Sequence, residues 1–346
     1  MTPQPQRVAS EPKAQTSRPA FGSVLASHMA VATYREGRWS ESEVKPVEPV
    51  QLSPAAHVLH YSSTCFEGFK AFRHADGSVH TFRMDRHIQR LRQSARQLVL
   101  PEPPAAMAGD MVRAVIAQCR DAVPEAPGAL YLRPILFGTT ANIGAAATPA
   151  TEAMLLVLAS PVWDYFAGGM KPLRILVDDE HTRSAAQMGM VKTGGNYAAA
   201  MGPTLAARAK YQADQVLFCP GGEVQETGAA NFLLIRDGEL LTRGLDSTFL
   251  HGVTRDSLLT LARDRGFNVS ERVFDVQEML EWVKSGEAAL SGTAAVLAGV
   301  GTLIYRGTEH RVASGEVGQQ TRALRAQLVA IQQGEAPDNH GWLQKI

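Results

Sequence analysis

The chain has 346 residues, 45% hydrophobic and 20% charged, with 34 basic side chains against 34 acidic ones. Two domains with real cores are affordable at this length, and a net charge of zero excludes a global field toward nucleic acid or an anionic membrane. Three separated cysteines, Cys65, Cys119 and Cys219, exclude a disulfide framework and form no zinc pair, so a reduced, cytoplasmic setting is expected.

Residues 1–20 hold four prolines and little to bury, and they read as a disordered tail without the apolar core of a signal peptide. From Phe21 to Leu59, prolines punctuate short apolar stretches that suit strands and loops. A turn at Asp76-Gly77 leads into a strand over 78–83. Asp85 is the expected cap of the next segment, where Ile88, Leu91, Ala95 and Leu98 predict a one-faced helix. The three prolines in 101–104 break it, and Met111, Val112, Val115, Ile116 and Cys119 predict a second helix. Residues 129–137 and 153–160 read as strands, the latter buried on both faces. The first half is therefore α+β, a small domain over 21–162, and 163–172, with Gly168-Gly169 and Pro172, reads as the linker.

Residues 173–346 read as a larger second domain. Strands are expected near 173–177, 215–219 and 231–235, with a hairpin turn at Asp237-Gly238. Helices are expected near 198–210, 255–265, 275–284 and 318–333. No stretch reads as a membrane span, and neither a Walker A loop nor an H-E-x-x-H metal motif is present.

Four places in this chain could carry chemistry. Lys192 is the only charged residue from Ser184 to Ala207; a lysine so placed is poorly solvated, which disfavours its ammonium form and makes it a nucleophile suited to a Schiff base. Glu226 ends a strand before a Gly-Ala-Ala turn, where a carboxylate can meet a cationic ring nitrogen. The segment from Gly252 through Val253 and Thr254 starts a helix, with Thr254 the expected N-cap, and a helix start can cradle an anion. Ser291-Gly292-Thr293-Ala294 follows a strand and can wall the same anion. Each also has a plain structural reading: a snorkelling lysine, a solvated strand-end glutamate, an ordinary helix cap and a polar loop. In this order, amine, carboxylate and anion cup match what pyridoxal 5'-phosphate requires.

The runs Lys192-Thr-Gly-Gly-Asn-Tyr197, Glu226 to Asn231-Phe232, Gly252-Val-Thr-Arg255 and Ser291-Gly-Thr-Ala294 resemble those of the branched-chain amino acid aminotransferases. These are fold-type IV pyridoxal phosphate enzymes, similar in fold to D-amino acid aminotransferase. His60-Tyr61-Ser62, Phe66-Glu67-Gly68, Phe82-Arg83-Met-Asp85-Arg86 and Leu130-Tyr131-Leu-Arg133-Pro134 extend the resemblance through the first half, closer to the larger type that includes the animal enzymes. It implies two α/β domains with the cofactor at their interface, usually in a homodimer. It implies that branched-chain L-amino acids (leucine, isoleucine, valine) exchange their amino group with 2-oxoglutarate.

By motif, the resemblance gives Lys192 the Schiff base and the α-proton, Glu226 the pyridine nitrogen and Tyr197 the ring oxygen. Arg83, Val253, Thr254 and Thr293 would hold the phosphate. Phe21, Tyr61, Phe66, Tyr131 and Tyr165 would line the side-chain pocket, Ala294 would bind the α-carboxylate, and Arg133 would assist with the second carboxylate of glutamate. Three departures stand out. Ala229 replaces a threonine common in animal relatives. Ala295 and Ala298 occupy the places of their redox cysteines. The segment from Arg183 to Lys192 is one residue short, which leaves a phosphate role for Arg183 unassigned. The alternatives are another fold-type IV enzyme, a D-amino acid aminotransferase or aminodeoxychorismate lyase, and a catalytically silent phosphate binder.

Overall fold

The computed structural model describes residues 19–164, 166 and 169–346. The expected tail, apart from its last two residues, lies outside them. The described residues divide into two units, one of 19–164, 192–194 and 332–346, the other of 166, 169–191 and 195–331. The expected boundaries differ in two places. The last fifteen residues belong with the first unit instead of the second, and so does the three-residue stretch at Lys192.

Chain order in the first unit is β1 (His28–Arg35), β2 (Arg38–Trp39), β3 (Glu43–Pro46), α1 (His57–Tyr61), β4 (Thr64–Phe66), β5 (Phe69–Arg73) and β6 (Val79–Phe82). The helices α2 (Met84–Gln97) and α3 (Ala105–Gln118) follow, then β7 (Ala129–Gly138) and β8 (Ala153–Val162). β7 and β8 pair antiparallel along their whole length, from Ala129 opposite Val162 to Gly138 opposite Ala153. Both are apolar and mostly buried, and they form the spine of a nine-stranded sheet. Leu91, Ala95, Met111, Val112, Val115 and Ile116 of the two helices pack on it with Leu130, Leu132 and Leu155.

Helix α2 departs from its sequence reading in two ways. Its N-cap is Arg83, held at φ 52°, and Asp85 sits in the first turn, where a carboxylate favours the positive end of the helix dipole without capping it. Its buried face also carries polar residues, His87, Arg90 and Ser94, beside the expected apolar ones.

The second unit contains β9 (Leu173–Asp178), α4 (Gly194–Tyr211, from its second residue), β10 (Gln215–Phe218), β11 (Asn231–Arg236), β12 (Glu239–Thr242) and α5 (Val253–Asp264). It continues with β13 (Asn268–Glu271), α6 (Val276–Trp282), β14 (Glu287–Gly292), β15 (Val296–Tyr305), β16 (Thr308–Arg311) and α7 (Gln319–Gln332, all but its last residue). Its mixed sheet runs β10-β9-β15-β14-β11-β12-β13, with β16 beside β15. Phe232, Leu234, Leu290, Val300 and Leu303 fill one face. The Asp237-Gly238 turn joins β11 to β12 as expected, with Gly238 at φ 70°.

The N-cap of α5 is Gly252, so Thr254 lies inside the helix and caps nothing. Helix α6, by contrast, is capped by a side chain: the Asp275 carboxylate accepts from the Glu278 amide at 2.8 Å. Asp275→Ala should cost about 1 kcal/mol, read as a lower denaturant midpoint at unchanged slope.

The final strand, β17 (Leu343–Lys345), pairs antiparallel with β6, Leu343 opposite Phe82. Trp342 packs edge-on against Phe82, and its carbonyl accepts from the Arg83 amide at 2.8 Å. This pairing is why the C-terminus leaves the second unit. Among the described residues, no helix is long and apolar enough to cross a membrane.

Candidate active site

Lys192 is half-buried and belongs to the first unit. Its backbone is fastened on both sides: its amide donates to Ser94 Oγ at 3.1 Å, and its carbonyl accepts from the Phe66 amide at 3.0 Å. The neighbouring Thr193 hydroxyl donates to the Thr64 carbonyl at 2.7 Å. Lys192 Nζ lies 4.9 Å from the centre of the Phe66 ring, an apolar partner that suits an ammonium without giving it a counter-charge.

Around Phe66 the first unit gathers several of the residues expected to line a pocket. The Arg133 guanidinium lies 4.6 Å from the Phe66 ring centre and donates to the Tyr131 hydroxyl at 2.9 Å. Its Nε is buried with no hydrogen-bond partner. Phe21 meets Tyr131 edge-on at 4.9 Å. Tyr61 is placed differently: it donates to the Ile143 carbonyl and packs on His57. Tyr165 lies outside the described residues. Gly68 is required by this packing, since a Cβ there would stand 1.8 Å from the Tyr131 hydroxyl oxygen.

Behind Phe66 lies a buried charge cluster that the sequence did not disclose. Glu67 is fully buried. Arg90 reaches it at 2.6 Å through Nε and 2.9 Å through Nη2, and His87 Nδ1 lies 2.8 Å away. Burial alone would push the Glu67 carboxyl up; the Arg90 charge and the His87 hydrogen bond outweigh it and hold the group well below the usual carboxylate range. Burial holds His87 below the usual imidazole range, so a neutral ring faces Glu67.

Glu226 is 2% exposed in the second unit. One carboxylate oxygen accepts from the Leu250 amide at 2.8 Å and meets Arg183 Nη1 at 2.7 Å; the other accepts from Asn231 Nδ2 at 3.1 Å. Arg183, 1% exposed, also donates to the Gly228 and Gly189 carbonyls. Tyr197, in the first turn of α4, has its ring centre 5.8 Å from that guanidinium. No sequence signal paired Arg183 with Glu226. Asn231 stood in the quoted motif, but its reach to Glu226 and to the Leu250 carbonyl appears only in the fold.

The same unit places the remaining expected residues. Asn231 sits opposite Ser291 across β11 and β14. The three-residue loop after Gly292 carries Thr293 and Ala294 into β15. Helix α5 starts at Val253 and Thr254 without a side-chain cap, which leaves its positive end to other acceptors. Gly252 is fitted against Asn231: a Cβ there would lie 2.0 Å from Oδ1. Ser291 Oγ is buried with no hydrogen-bond partner. In the first unit, Arg83 is buried with its guanidinium 5.2 Å from the Trp342 ring. In the second unit the buried carboxylate, the uncapped helix start and the orphaned hydroxyl are of the kinds pyridoxal phosphate needs for its ring nitrogen and phosphate, and the first unit holds an amine of the kind its aldehyde needs.

Comparison with known proteins agrees with this donor set. Residues 64–302 match the family model described as amino-transferase class IV. The branched-chain-amino-acid aminotransferase of Mycobacterium tuberculosis is 41% identical over 342 residues, 95% of this chain and 92% of that protein. Branched-chain-amino-acid aminotransferase 2 of Bacillus subtilis is 34% identical over 345 residues, 97% of this chain and 94% of that protein. Among solved structures, the branched-chain aminotransferase of Thermoproteus uzoniensis with norvaline superimposes with a TM-score of 0.75 at 24% identity, over 92% of this chain and 99% of that one. The branched-chain amino acid aminotransferase of T.th. with pyridoxamine 5'-phosphate gives 0.74 at 24% identity, over 90% of this chain and 97% of that one; both establish the fold. The chain belongs to the class IV amino-transferases and, within them, to the branched-chain-amino-acid aminotransferases.

Proposed function

We propose that this chain transfers the amino group of leucine, isoleucine or valine to 2-oxoglutarate, with pyridoxal 5'-phosphate as cofactor and Lys192 as its covalent anchor. The observation that carries the reading is a half-buried lysine on an aromatic face, together with a buried glutamate clamped by an arginine, in a chain of this family. The cofactor, when bound, supplies an aldehyde that takes an amine and a ring that draws electrons from the substrate Cα.

The protein's residues do the rest. Lys192 Nζ takes the substrate α-proton as general base and returns it as general acid. Glu226 holds a proton at the ring nitrogen, and Tyr197 donates to the ring oxygen. Arg83, the Val253 and Thr254 amides and Thr293 hold the phosphate. The Ala294 amide takes the α-carboxylate, and Arg133, with its unpartnered Nε, takes the second carboxylate of 2-oxoglutarate. Phe21, Phe66, Tyr131 and Tyr165 line the side-chain pocket, and Tyr61, which donates to the Ile143 carbonyl, is left out of it. Apolar walls separate leucine, isoleucine and valine poorly, since one methylene is worth about 1–3 kcal/mol. The reading takes the working form to be a cytoplasmic homodimer, in keeping with three buried free thiols.

The test is the visible spectrum of the purified protein. A yellow band that L-leucine bleaches and 2-oxoglutarate restores is the expected result, with ping-pong kinetics in steady state. A band indifferent to L-leucine but bleached by D-alanine would move the substrate to another branch of the fold. Gly68→Ala should keep the band and lower kcat/KM about tenfold or more, because the new methyl displaces Tyr131.

A further inference from the structure

We propose that Glu67 is a positioning residue for the Lys192 nitrogen: by cancelling the charge of Arg90 it keeps a buried cation from acting on that amine. The inference rests on the function proposed above and concerns a cluster to which that reading gives no role.

Helix α2 carries the argument. Arg90 and Ser94 are one turn apart on its buried face, His87 is one turn before them, and all three turn toward the same segment. Ser94 holds the Lys192 amide, while Arg90 and His87 hold Glu67, the residue after Phe66. Phe66 in turn bonds the Lys192 carbonyl and lies beneath its Nζ. A guanidinium is therefore fixed one helical turn from the residue that grips Lys192. In a poorly solvated interior such a charge acts on a nearby amine far more strongly than in water.

The ionised Glu67 carboxylate closes two hydrogen bonds with that guanidinium, and the His87 ring beside them is neutral, so the cluster sums to zero. The Lys192 charge adds to burial in keeping His87 unprotonated, which places the two groups within electrostatic reach. Among the described residues, the Arg133 guanidinium and Tyr131 hydroxyl of β7 and the Cys65 thiol of β4 also lie around Phe66 and Glu67. Burial, with a smaller push from Glu67, raises the Cys65 thiol, so it stays neutral. Arg133 stands unchanged in every comparison below.

The experiment measures, across pH, the visible spectrum of the holoenzyme and the rate at which L-leucine bleaches it in a single turnover. Glu67→Gln keeps the size of the side chain, exchanges one acceptor oxygen for a donor, and removes the negative charge that Glu67 sets against Arg90. A stray cation disfavours the charged form of the Lys192 nitrogen, so the acid limb should move down by about one pH unit. Arg90→Gln should move it up, by less, because His87 then takes up part of a proton. Glu67→Gln with Arg90→Gln should return it to that of the unsubstituted protein.

A purely structural role would lower the rate at every pH and leave the midpoint in place; unmoved midpoints in both single variants overturn the proposal while the function stands. If Glu67→Gln does not fold, Arg90→Gln and the double variant decide, and an unshifted Arg90→Gln midpoint overturns the proposal. A chain with no visible band overturns the cofactor reading first, and this inference with it.

Discussion

Lys192→Ala should lower transamination about a thousandfold or more, because in the proposed function one nitrogen serves as both the covalent anchor and the proton carrier. The variant should fold. Lys192 is half-buried and its backbone bonds to Ser94 and Phe66 do not use the side chain. Removing Nζ also deletes its contact with the Phe66 ring. The expected protein has a normal unfolding transition, binds pyridoxal phosphate without the yellow band, and shows no bleaching with L-leucine. An alanine variant that keeps its band and turns over at the normal rate would show that another amine does the work.

Glu226→Ala should lose both activity and stability, and the two losses can be separated. Loss of the carboxylate proposed to hold the ring proton should cost about 100- to 1000-fold in kcat, the scale for deleting one fixed electrostatic partner of a developing charge. The substitution also strands Arg183, which is 1% exposed and pairs with Glu226 at 2.7 Å. Breaking a buried ion pair from one side costs about 3–5 kcal/mol. Replacing both residues by apolar ones, Arg183→Met with Glu226→Leu, should recover most of the stability, since no unpaired charge then remains buried. Activity should stay low. A double variant as active as the unsubstituted protein would remove Glu226 from the chemistry, and denaturant melts beside stopped-flow bleaching distinguish the two losses.

Most helices and strands were legible in the residues alone. Periodic apolar residues located α2, α3, β7 and β8 to within a few residues, because one-faced burial repeats at the helix or strand period. The isolation of Lys192, and the order of Lys192, Glu226, Gly252 and Ser291 along the chain, suggest an amine, a carboxylate and anion donors from the residues alone. The C-terminal strand was not legible: Leu343–Lys345 is three residues long, and only its pairing with β6 makes it a strand.

Helix caps were legible only in part. Asp85 and Thr254 have capping side chains, yet the chain enters both helices through Arg83 and Gly252, positions fixed by packing on Trp342 and Asn231. The buried ion pairs were the least legible of all. Arg183 and Glu226 are 43 residues apart, and Glu67 and Arg90 are 23 apart on different elements. A charged residue in sequence looks the same whether water or another charge will solvate it. Only the tertiary structure, by excluding water from both partners, decides which charges must find each other.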